Sequence, residues 1–232
     1  MTRDDDTDPP GDDALAQRTA VRRGYDELAD AYAAERHGTN YDVLLDRFLA
    51  DAPAGPVLDV GCGAGEPVLS QLATDRSVVG LDFSREQLSR ADDVAPGRVV
   101  QGDMTSLPFE DDAFAALTAF CSVIHVPFDQ HAAVYAEFAR VLQAGGELLV
   151  TVGADEWSGR NDDWLDSGTP MEWSHYGLEK SRELVTHAGF TVTDAVGILG
   201  AGLGDDRSTE PELVEPDAEG AGHPFCFARL RE

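Results

Sequence analysis

A run of alternating glycines is the first feature of the chain whose residue types and spacing could do chemistry. Residues 59–65 read DVGCGAG and directly follow the apolar residues 57 and 58. Glycines allow the backbone to approach a ligand closely, and a helix that begins after such a loop offers free N–H groups. The segment therefore predicts a binding site for a nucleotide-like ligand.

The spacing of the glycines distinguishes between ligands. Gly61, Gly63 and Gly65 alternate, whereas a dinucleotide fingerprint requires glycine at the position that Glu66 occupies. The Glu66 carboxylate would repel a pyrophosphate. S-adenosylmethionine (SAM) has no phosphate and carries a positive sulfonium, so it suits the loop better. Asp59, in front of the loop, could face the ammonium group of SAM directly or through water.

Two further acids are expected to complete this site. Asp82 ends a second apolar run, about 20 residues after the glycines, where an acid can accept the ribose hydroxyls. Phe83 could pack on the adenine ring. Asp103 could accept from the adenine amino group while Met104 covers the ring. The alternative is that both acids only cap helices. Cys62 is expected in the loop as a small packing residue rather than as a nucleophile.

These loops must be held by regular elements, and the pattern of apolar residues predicts them. Strands that alternate with helices indicate a parallel sheet covered on both faces, a doubly wound α/β fold. The predicted strands are 57–60, 77–81, 98–101, 115–122, 147–152, 190–199 and 224–230. The predicted helices are 14–36, 41–49, 66–73, 84–91, 129–142 and 178–188.

Three local details belong to this prediction. Ser84 is expected to cap the helix that follows it, with the Gln87 side chain as the partner in a capping box. Gly145 and Gly146 are expected to end the helix 129–142. Residues 153–176 and 200–223 are predicted to be irregular. All three acids of the candidate site then lie at carboxyl ends of strands, where open α/β sheets bind ligands.

With these motifs the chain resembles the class I SAM-dependent methyltransferases. The resemblance covers residues 20–198 and is carried by the segments VLDVGCGAGEP, GLDFS, GDMTSLPFEDDAFA, RVLQAGGELLVT and ELVTHAGFTV. It implies a Rossmann-like seven-stranded sheet with strand seven antiparallel between strands five and six. The segment YDELADAYAAER is similar to the helix that covers SAM in the small-molecule branch that includes quinone-biosynthesis-type enzymes. A disordered acidic leader, 1–13, would then precede a single domain, 14–232.

The acceptor side of the site is less strongly marked. His125 follows the fourth predicted strand and is the candidate general base, although a histidine there could also serve only packing. All the tryptophans lie after the fifth strand, so we expect a lid or pocket wall that includes Trp157, Trp173 and His175. The alternative is a small satellite core under a long loop.

The predicted first helix carries polar aromatic and basic residues that could also serve the cofactor. Tyr25, Tyr32 and Arg36 could close over SAM, and Arg36 could meet its carboxylate. We include Tyr32 among the predicted cofactor contacts. The alternative is that these are ordinary residues of an amphipathic helix. The six histidines and three cysteines show no metal-site spacing, so no metal is expected.

Charge limits the partners that the chain could have. The formal net charge is −27, from 44 acidic and 17 basic residues, and Lys180 is the single lysine. Such a chain has no basic stripe for nucleic acid and would be repelled by anionic membranes, although molar salt weakens both arguments. The acid excess suggests a halophilic protein. The alternative is an ordinary acidic protein with disordered tails.

Three sparse cysteines fit a reducing compartment, and no signal peptide or membrane span is evident, so a cytoplasmic location is expected. The predicted activity is methyl transfer from SAM to a small molecule. One alternative is a SAM-binding sensor or a subunit that activates a partner, because the same site would serve. An NAD-dependent oxidoreductase is the third possibility, against which the missing glycine at position 66 argues.

Overall fold

The computed structural model describes residues 12–36, 40–200 and 211–232. The helices are α1 (Asp12–Glu27), α2 (Ala29–Arg36), α3 (Asp42–Asp51), α4 (Val68–Asp75), α5 (Arg85–Val94), α6 (His131–Val141) and α7 (Leu178–His187). The strands are β1 (Val57–Val60), β2 (Val78–Asp82), β3 (Val99–Gln101), β4 (Phe114–Ala119), β5 (Leu142–Thr151), β6 (Trp157–Trp164), β7 (Thr169–His175), β8 (Phe190–Leu199), β9 (Glu212–Val214) and β10 (Phe225–Leu230).

The main sheet has the order β3-β2-β1-β4-β5-β10-β8-β9. β1 to β5 pair in parallel, and β10 lies antiparallel between β5 and β8. The Rossmann-like arrangement and the inserted antiparallel strand are therefore confirmed. The sheet has eight strands rather than seven, because β9 pairs with the outer edge of β8. β9 lies in the stretch predicted to be a loop, and Leu213 packs against the core there.

Apolar helix faces cover both sides of this sheet, as a doubly wound fold requires. On one side Leu44, Leu69 and Leu88, from α3, α4 and α5, pack with Val57 of β1. On the other side helices α6 and α7 pack against the alternate residues of the same strand, with Phe138 and Val185 in one cluster with Leu58 and Val60. β1 is fully buried because both faces are covered. The carboxyl ends of β1, β2 and β4 are thereby fixed side by side.

Several local predictions were wrong. The first helix divides at Leu28, although the Leu28 N–H still donates to the Gly24 carbonyl at 2.9 Å, so the break is a local bend. Helix α6 ends at Val141 and β5 starts at once, so Gly145, with φ of +74°, lies inside a strand irregularity. Residues 157–175 form the antiparallel hairpin β6–β7. The sequence did not predict this hairpin, because β6 contains Asn, Asp and Gly, which are unfavourable in strands.

The Ser84 cap forms only in part. Ser84 Oγ accepts from the Gln87 backbone N–H at 3.2 Å, as predicted. The return bond of a capping box is absent, because the Ser84 N–H donates to Asp82 Oδ1 at 2.8 Å instead. The Gln87 side chain therefore makes no capping bond to Ser84.

Helices that could span a membrane are not found among the described residues. The same ranges contain no group of three or more His, Cys, Asp or Glu residues that could hold a metal ion. The predicted leader lies outside the described residues except for residues 12 and 13, which already belong to α1.

Candidate functional site

A cleft of about 650 Å³, including its mouth, opens at the carboxyl ends of β1, β2 and β4 beneath α1 and α2. Most of the predicted cofactor residues line it. The lining residues that the following argument uses are Arg18, Tyr25, Tyr32, Gly61, Gly63, Asp82, Phe83, Asp103, Met104 and His125.

The glycine loop forms the floor of the cleft. Gly61 has φ of +74°, and a Cβ added there would lie 2.3 Å from Ser122 Cβ, so no larger residue fits. Gly63 has φ of +54°, and a Cβ added there would meet only Gln87 Oε1, at 3.8 Å. The space above Gly63 is therefore open to a ligand. Gly65 lies behind it, against α5.

Asp82 lies next to this open space and holds the loop. Its Oδ2 accepts from the Gly63 N–H at 2.9 Å, and its Oδ1 accepts from the Ser84 N–H at 2.8 Å. Burial raises the pKa of Asp82 to about 6, in spite of these bonds, which favour the ionised form. Each carboxylate oxygen has a second lone pair, so Asp82 can still accept two hydroxyl donors.

Asp103 and Met104 line the same cleft, as predicted for the adenine end. Asp103 Oδ1 accepts from both the N–H and the hydroxyl of Thr105, at 2.9 and 2.7 Å. Its Oδ2 pairs with the guanidinium of Arg18, which also donates to Gln130 Oε1 at 2.9 Å. Arg18 thus fastens α1 to the floor of the site. Oδ2 keeps a lone pair for a further donor.

Asp59 and Cys62 lie behind the loop. Asp59 is buried in β1, and its Oδ1 accepts from the Thr118 hydroxyl at 2.8 Å. Cys62 packs against Leu69 in the core, and burial raises the pKa of its thiol well above the ordinary value. That burial agrees with a packing residue and disfavours a nucleophile, because the thiolate is the reactive form.

His125 is presented by an abrupt turn after β4. Cys121 has φ of +50°, a strained value for a residue other than glycine, and a 3₁₀ turn, Val123–His125, follows it. The Nδ1 of His125 lies 2.9 Å from the Glu172 carbonyl, and its Nε2 lies 2.8 Å from the Tyr25 hydroxyl. A carbonyl can only accept, so Nδ1 carries the proton.

Burial lowers the pKa of His125 to about 4, so the ring is neutral near pH 7. With Nδ1 protonated, the Nε2 lone pair accepts from the Tyr25 hydroxyl. Burial raises the pKa of Tyr25 well above the ordinary value, so the phenol keeps its proton. The two side chains form a neutral, oriented pair at the wall of the cleft.

An aromatic cluster closes the same side of the cleft. Tyr25 packs edge-on against His125, Tyr32 and Trp164, with ring centroids 5.2, 5.1 and 5.6 Å apart. Trp173 lies against Trp164 and His125, with centroids 5.6 and 5.7 Å apart. The hairpin β6–β7 and the first two helices therefore meet through aromatic rings, of which Tyr25, Tyr32 and His125 line the candidate site.

Three residues predicted for the acceptor pocket, Trp157, Trp173 and His175, do not line the cleft, and Trp173 packs behind His125 and Trp164. Trp157 is 49% exposed, on the outer side of Trp173. His175 is buried beneath the hairpin, where its Nδ1 donates to the Asp155 carbonyl at 3.0 Å and its ring packs on His223. All three were assigned to the pocket because they lie in the stretch after the fifth predicted strand. The Arg36 side chain lies outside the described residues.

Sequence reasoning missed three features of this region: Arg18 in the lining of the cleft, the buried amide of Gln87 beside Gly63, and the packing of Trp164 on Tyr25. A signal for the first was available, since Arg18, Tyr25 and Tyr32 are spaced by seven residues and so share one helix face. Gln87 had been assigned to capping. Nothing in the local sequence indicates that Trp164 turns inward while Trp157 turns outward.

The residues that line the cleft fit SAM. The open space at Gly63 allows a ligand to approach the backbone closely. Asp82 and Asp103 can still accept hydrogen bonds from hydroxyl and amino donors. Phe83 and Met104 offer apolar surfaces in the same cleft. The acidic floor also matches a ligand whose sulfur is positively charged.

Comparisons with known proteins agree with this geometry. Residues 57–146 match a family model described as "Methyltransferase domain". A putative methyltransferase from Encephalitozoon cuniculi is 30% identical over 192 residues, covering 75% of this chain and 88% of that protein. A sterol 24-C-methyltransferase from Schizosaccharomyces pombe is 36% identical over 126 residues, covering 51% of this chain but 31% of the enzyme. The chain therefore spans about a third of the length of that relative.

A solved structure shows the same fold. It is a SAM-dependent methyltransferase from Methanosarcina mazei, with a TM-score of 0.64 at 20% identity, and the match covers 84% of this chain and 100% of that one.

Proposed function

The chain belongs to the methyltransferase family, and on that premise we propose that it transfers the methyl group of SAM to a small molecule with an apolar or aromatic frame. One observation carries the proposal. The glycine loop with Asp82 lines the same cleft as the rings of Tyr25, Tyr32 and His125. A cofactor held by the first would present its reactive end toward the second.

We assign the cofactor contacts as follows. Gly61 and Gly63 bring their backbone close to SAM, Asp82 accepts from the ribose, and Asp103 accepts from the adenine amino group. Phe83, Met104 and Tyr32 cover the ligand, while Asp59, Cys62 and Gly65 support the loop from behind. When bound, SAM supplies an electrophilic methyl carbon and a good thioether leaving group. The chain then has mainly to position the acceptor and exclude water.

His125 has a positioning role in this proposal. Its pKa near 4 makes it a weak base, which suits a general base poorly at neutral pH. Its Nε2 instead accepts the Tyr25 hydroxyl hydrogen, which fixes the direction in which the phenol oxygen faces the cleft. Tyr25 would then orient the acceptor. This arrangement suits a nucleophile that is easily deprotonated or already reactive, such as an aromatic hydroxyl.

The side chains that line the cleft near Tyr25 indicate the class of methyl acceptor. Tyr25, Tyr32 and Phe120 line the cleft with rings rather than charges, which favours an aromatic or otherwise apolar acceptor. Trp164 and Trp173 pack behind Tyr25 and His125. A sterol methyltransferase among the relatives acts on an apolar molecule, in agreement with this choice. We therefore place the chain in the small-molecule branch that includes quinone-biosynthesis-type enzymes, with Trp157 and His175 outside the pocket.

We also propose a salt-rich cytoplasm as the working environment. Cys62, Cys121 and Cys226 are all unpaired thiols, which suits a reducing compartment. The excess of acidic over basic residues suits concentrated salt. The same charge argues against nucleic acid as a partner and against stable binding to anionic membranes.

Calorimetry and product analysis together test the proposed function. We expect SAM to bind with a saturable isotherm and NAD to give none. We further expect methyl-labelled SAM, incubated with the protein and a metabolite extract, to yield a labelled apolar product. Binding of NAD without SAM would support the oxidoreductase and defeat the proposal. Binding of SAM with no labelled product from any extract would favour the sensor or activating subunit.

A further inference from the structure

Four histidines from four different elements meet beneath the hairpin β6–β7, and we call them the histidine cluster. They are His125 in the turn after β4, His131 at the start of α6, His175 at the end of β7 and His223 in front of β10. The rings of His175 and His223 have centroids 5.1 Å apart. The ring of Tyr176, just past β7, lies 5.4 Å from that of His131. His223 is half-buried and the other three are buried, so the cluster is shielded from water.

The histidine cluster holds strand β7 in place through its ring N–H groups. His125 Nδ1 donates to the Glu172 carbonyl, in the middle of β7, at 2.9 Å. His175 is the last residue of the strand, and its Nδ1 donates to the Asp155 carbonyl at 3.0 Å. A Cβ added to Gly153 would lie 2.1 Å from that same Nδ1, so the backbone approaches the ring as closely as glycine allows. The hairpin is therefore seated on histidine rings along its inner strand.

The surroundings of the cluster offer little to offset a positive charge. Asp129 is the carboxylate that favours a charged ring there, and it acts on His131. The Glu172 carboxylate pairs with Arg160 at 2.8 Å instead. His223 Nδ1 is buried and has no hydrogen-bond partner among the described residues. Charged rings in this place would therefore repel one another and remain poorly solvated.

The pKa values of the cluster follow from this burial. Burial lowers the pKa of His125 to about 4, although the Glu172 carbonyl favours the charged ring. Burial also lowers the pKa of His131 and of His223 below the ordinary histidine value. The folded values lie below the unfolded one, so the neutral rings stabilise the seated hairpin fully above about pH 6.5. That stabilisation is lost as the pH falls through about 4.

We propose that the histidine cluster is an acid-sensitive clasp, which seats the hairpin β6–β7 at neutral pH and releases it when the rings become charged. The consequence for methyl transfer rests on the proposed function. Trp164 of the hairpin packs behind Tyr25, which lines the cleft. Trp173 packs in the same way behind His125. Release would withdraw both rings from the acceptor side, while the glycine loop with Asp82 stays on the main sheet.

A charged His125 would also change the hydrogen bond that orients Tyr25. In the neutral ring, Nε2 accepts from the Tyr25 hydroxyl at 2.8 Å. In the charged ring both nitrogens are donors, so the hydroxyl could no longer donate to Nε2 and would have to turn. Acid would thus alter the acceptor side of the cleft through the hairpin and through this bond together.

Tryptophan emission measures the release directly, because all three tryptophans lie in the hairpin. We expect the emission of the wild type to shift to longer wavelength as the pH falls from about 6.5 to about 4, while far-UV circular dichroism stays near its value at pH 7. About 1 M KCl in every sample screens the acidic surface. Hydrogen exchange, corrected for its intrinsic pH dependence, should show amides of β6 and β7 losing protection before those of β1 and β4.

The substitution His223→Phe tests the cluster itself. It keeps an aromatic ring against His175 and removes a titratable group whose Nδ1 has no partner. We expect the emission midpoint to move to lower pH and the transition to take up about one proton fewer. His187→Phe is the matched control, because His187 is exposed on α7 and its Nδ1 bonds to the Glu183 carbonyl of the same helix. Its midpoint should equal that of the wild type.

Two results from the wild type alone would overturn the clasp, whether or not the variants fold well. One is emission that stays constant down to about pH 4, and the other is hairpin and main-sheet amides that lose protection together. The same midpoint and steepness in His223→Phe as in His187→Phe would also overturn it. A protein that shows the expected transition but does not bind SAM at pH 7 would support the clasp and defeat the proposed function.

Discussion

At the scale of single residues, Asp82 shows how burial and ligand binding compete. Burial raises its pKa to about 6, while backbone donors from Gly63 and Ser84 favour the charged form. Hydroxyl donors from a ribose would favour the charged form further. The folded pKa lies above the ordinary value, so Asp82 stabilises the unliganded fold at low pH. That contribution is lost as the pH rises through about 6.

SAM binding should therefore depend on pH in the opposite sense. We expect the association constant to rise as the pH increases from 5 through about 6 and to level off above 7, because the ionised carboxylate is the form that binds. Isothermal calorimetry across this range measures it. Asp82→Asn should bind about 10- to 100-fold more weakly, as loss of a charge-assisted bond implies, with a flat pH profile. A wild-type profile as flat as that of the variant would contradict the assignment.

The state of the His125 ring gives a second prediction. We expect a neutral ring with the proton on Nδ1 from pH 8 down to about 5, since its pKa is about 4. Long-range ¹H–¹⁵N spectra of labelled histidine report the tautomer directly. In Tyr25→Phe the Nε2 resonance should move toward that of an unbonded acceptor while the Nδ1 resonance stays. A proton found on Nε2 would refute the pairing with the Tyr25 hydroxyl.

The acidic and glycine residues of the site could be predicted from sequence because short motifs fix them. Gly61, Gly63 and Asp82 follow strands whose ends must meet at one edge of a parallel sheet. The contact of Arg18 with Asp103 could not be predicted in this way. The spacing of Arg18, Tyr25 and Tyr32 indicates one helix face, but tertiary packing decides where α1 docks.

At the scale of elements, the aromatic cluster joins parts that are distant in the chain. α1 contributes Tyr25, the hairpin β6–β7 contributes Trp164 and Trp173, and the turn after β4 contributes His125. Polar contacts reinforce this arrangement, because Gln17 donates to Ser174 Oγ at 3.0 Å. The hairpin had been predicted as an irregular lid, since strand propensity is low in β6 and its pairing depends on β7.

Two tryptophans of β6 offer a matched comparison. Trp164→Ala removes a ring that packs on Tyr25 and Tyr32, whereas Trp157→Ala removes a half-exposed ring on the outer side of Trp173. We expect Trp164→Ala to raise KM for the acceptor about tenfold, in keeping with about 1.4 kcal/mol of lost ring packing. Trp157→Ala should change KM by less than about twofold. Equal effects of the two substitutions would place the acceptor elsewhere.

At the scale of the whole molecule, the acidic surface sets how the fold responds to salt. The chain has 44 acidic and 17 basic residues. The basic side chains that remain are used locally, as in the contacts of Arg140 with Glu137 and Asp111. The net charge of −27 is therefore not offset, and its self-repulsion destabilises the compact state.

Added KCl should consequently stabilise the protein. We expect the thermal midpoint to rise with KCl, most steeply below about 0.5 M, because the screening length falls from about 10 Å at 0.1 M to about 3 Å at 1 M. Scanning calorimetry at a series of KCl concentrations measures this, and isosmotic sucrose controls for solvent exclusion. A midpoint that falls steadily toward molar KCl would contradict the proposed salt-rich environment.

The overall fold could be predicted further than the site because alternation of strands and helices leaves few topologies. The strands β1, β2 and β3 and the antiparallel β10 were predicted within one or two residues. The short edge strand β9 was missed, because its three residues carry no pattern of their own and pair only once β8 is in place.

The position of β10 also has a consequence for how the protein is made. The strand Phe225–Leu230 follows β8 and β9 in the sequence, yet it lies inside the sheet and joins β5 to β8. During synthesis the ribosome delivers β8 before the strand that connects it to the rest of the sheet. Until β10 is made, the edges of β5 and β8 that pair with it have no partner. Exposed strand edges promote association between chains. Nascent chains halted before residue 225 should therefore be the species that most need chaperones.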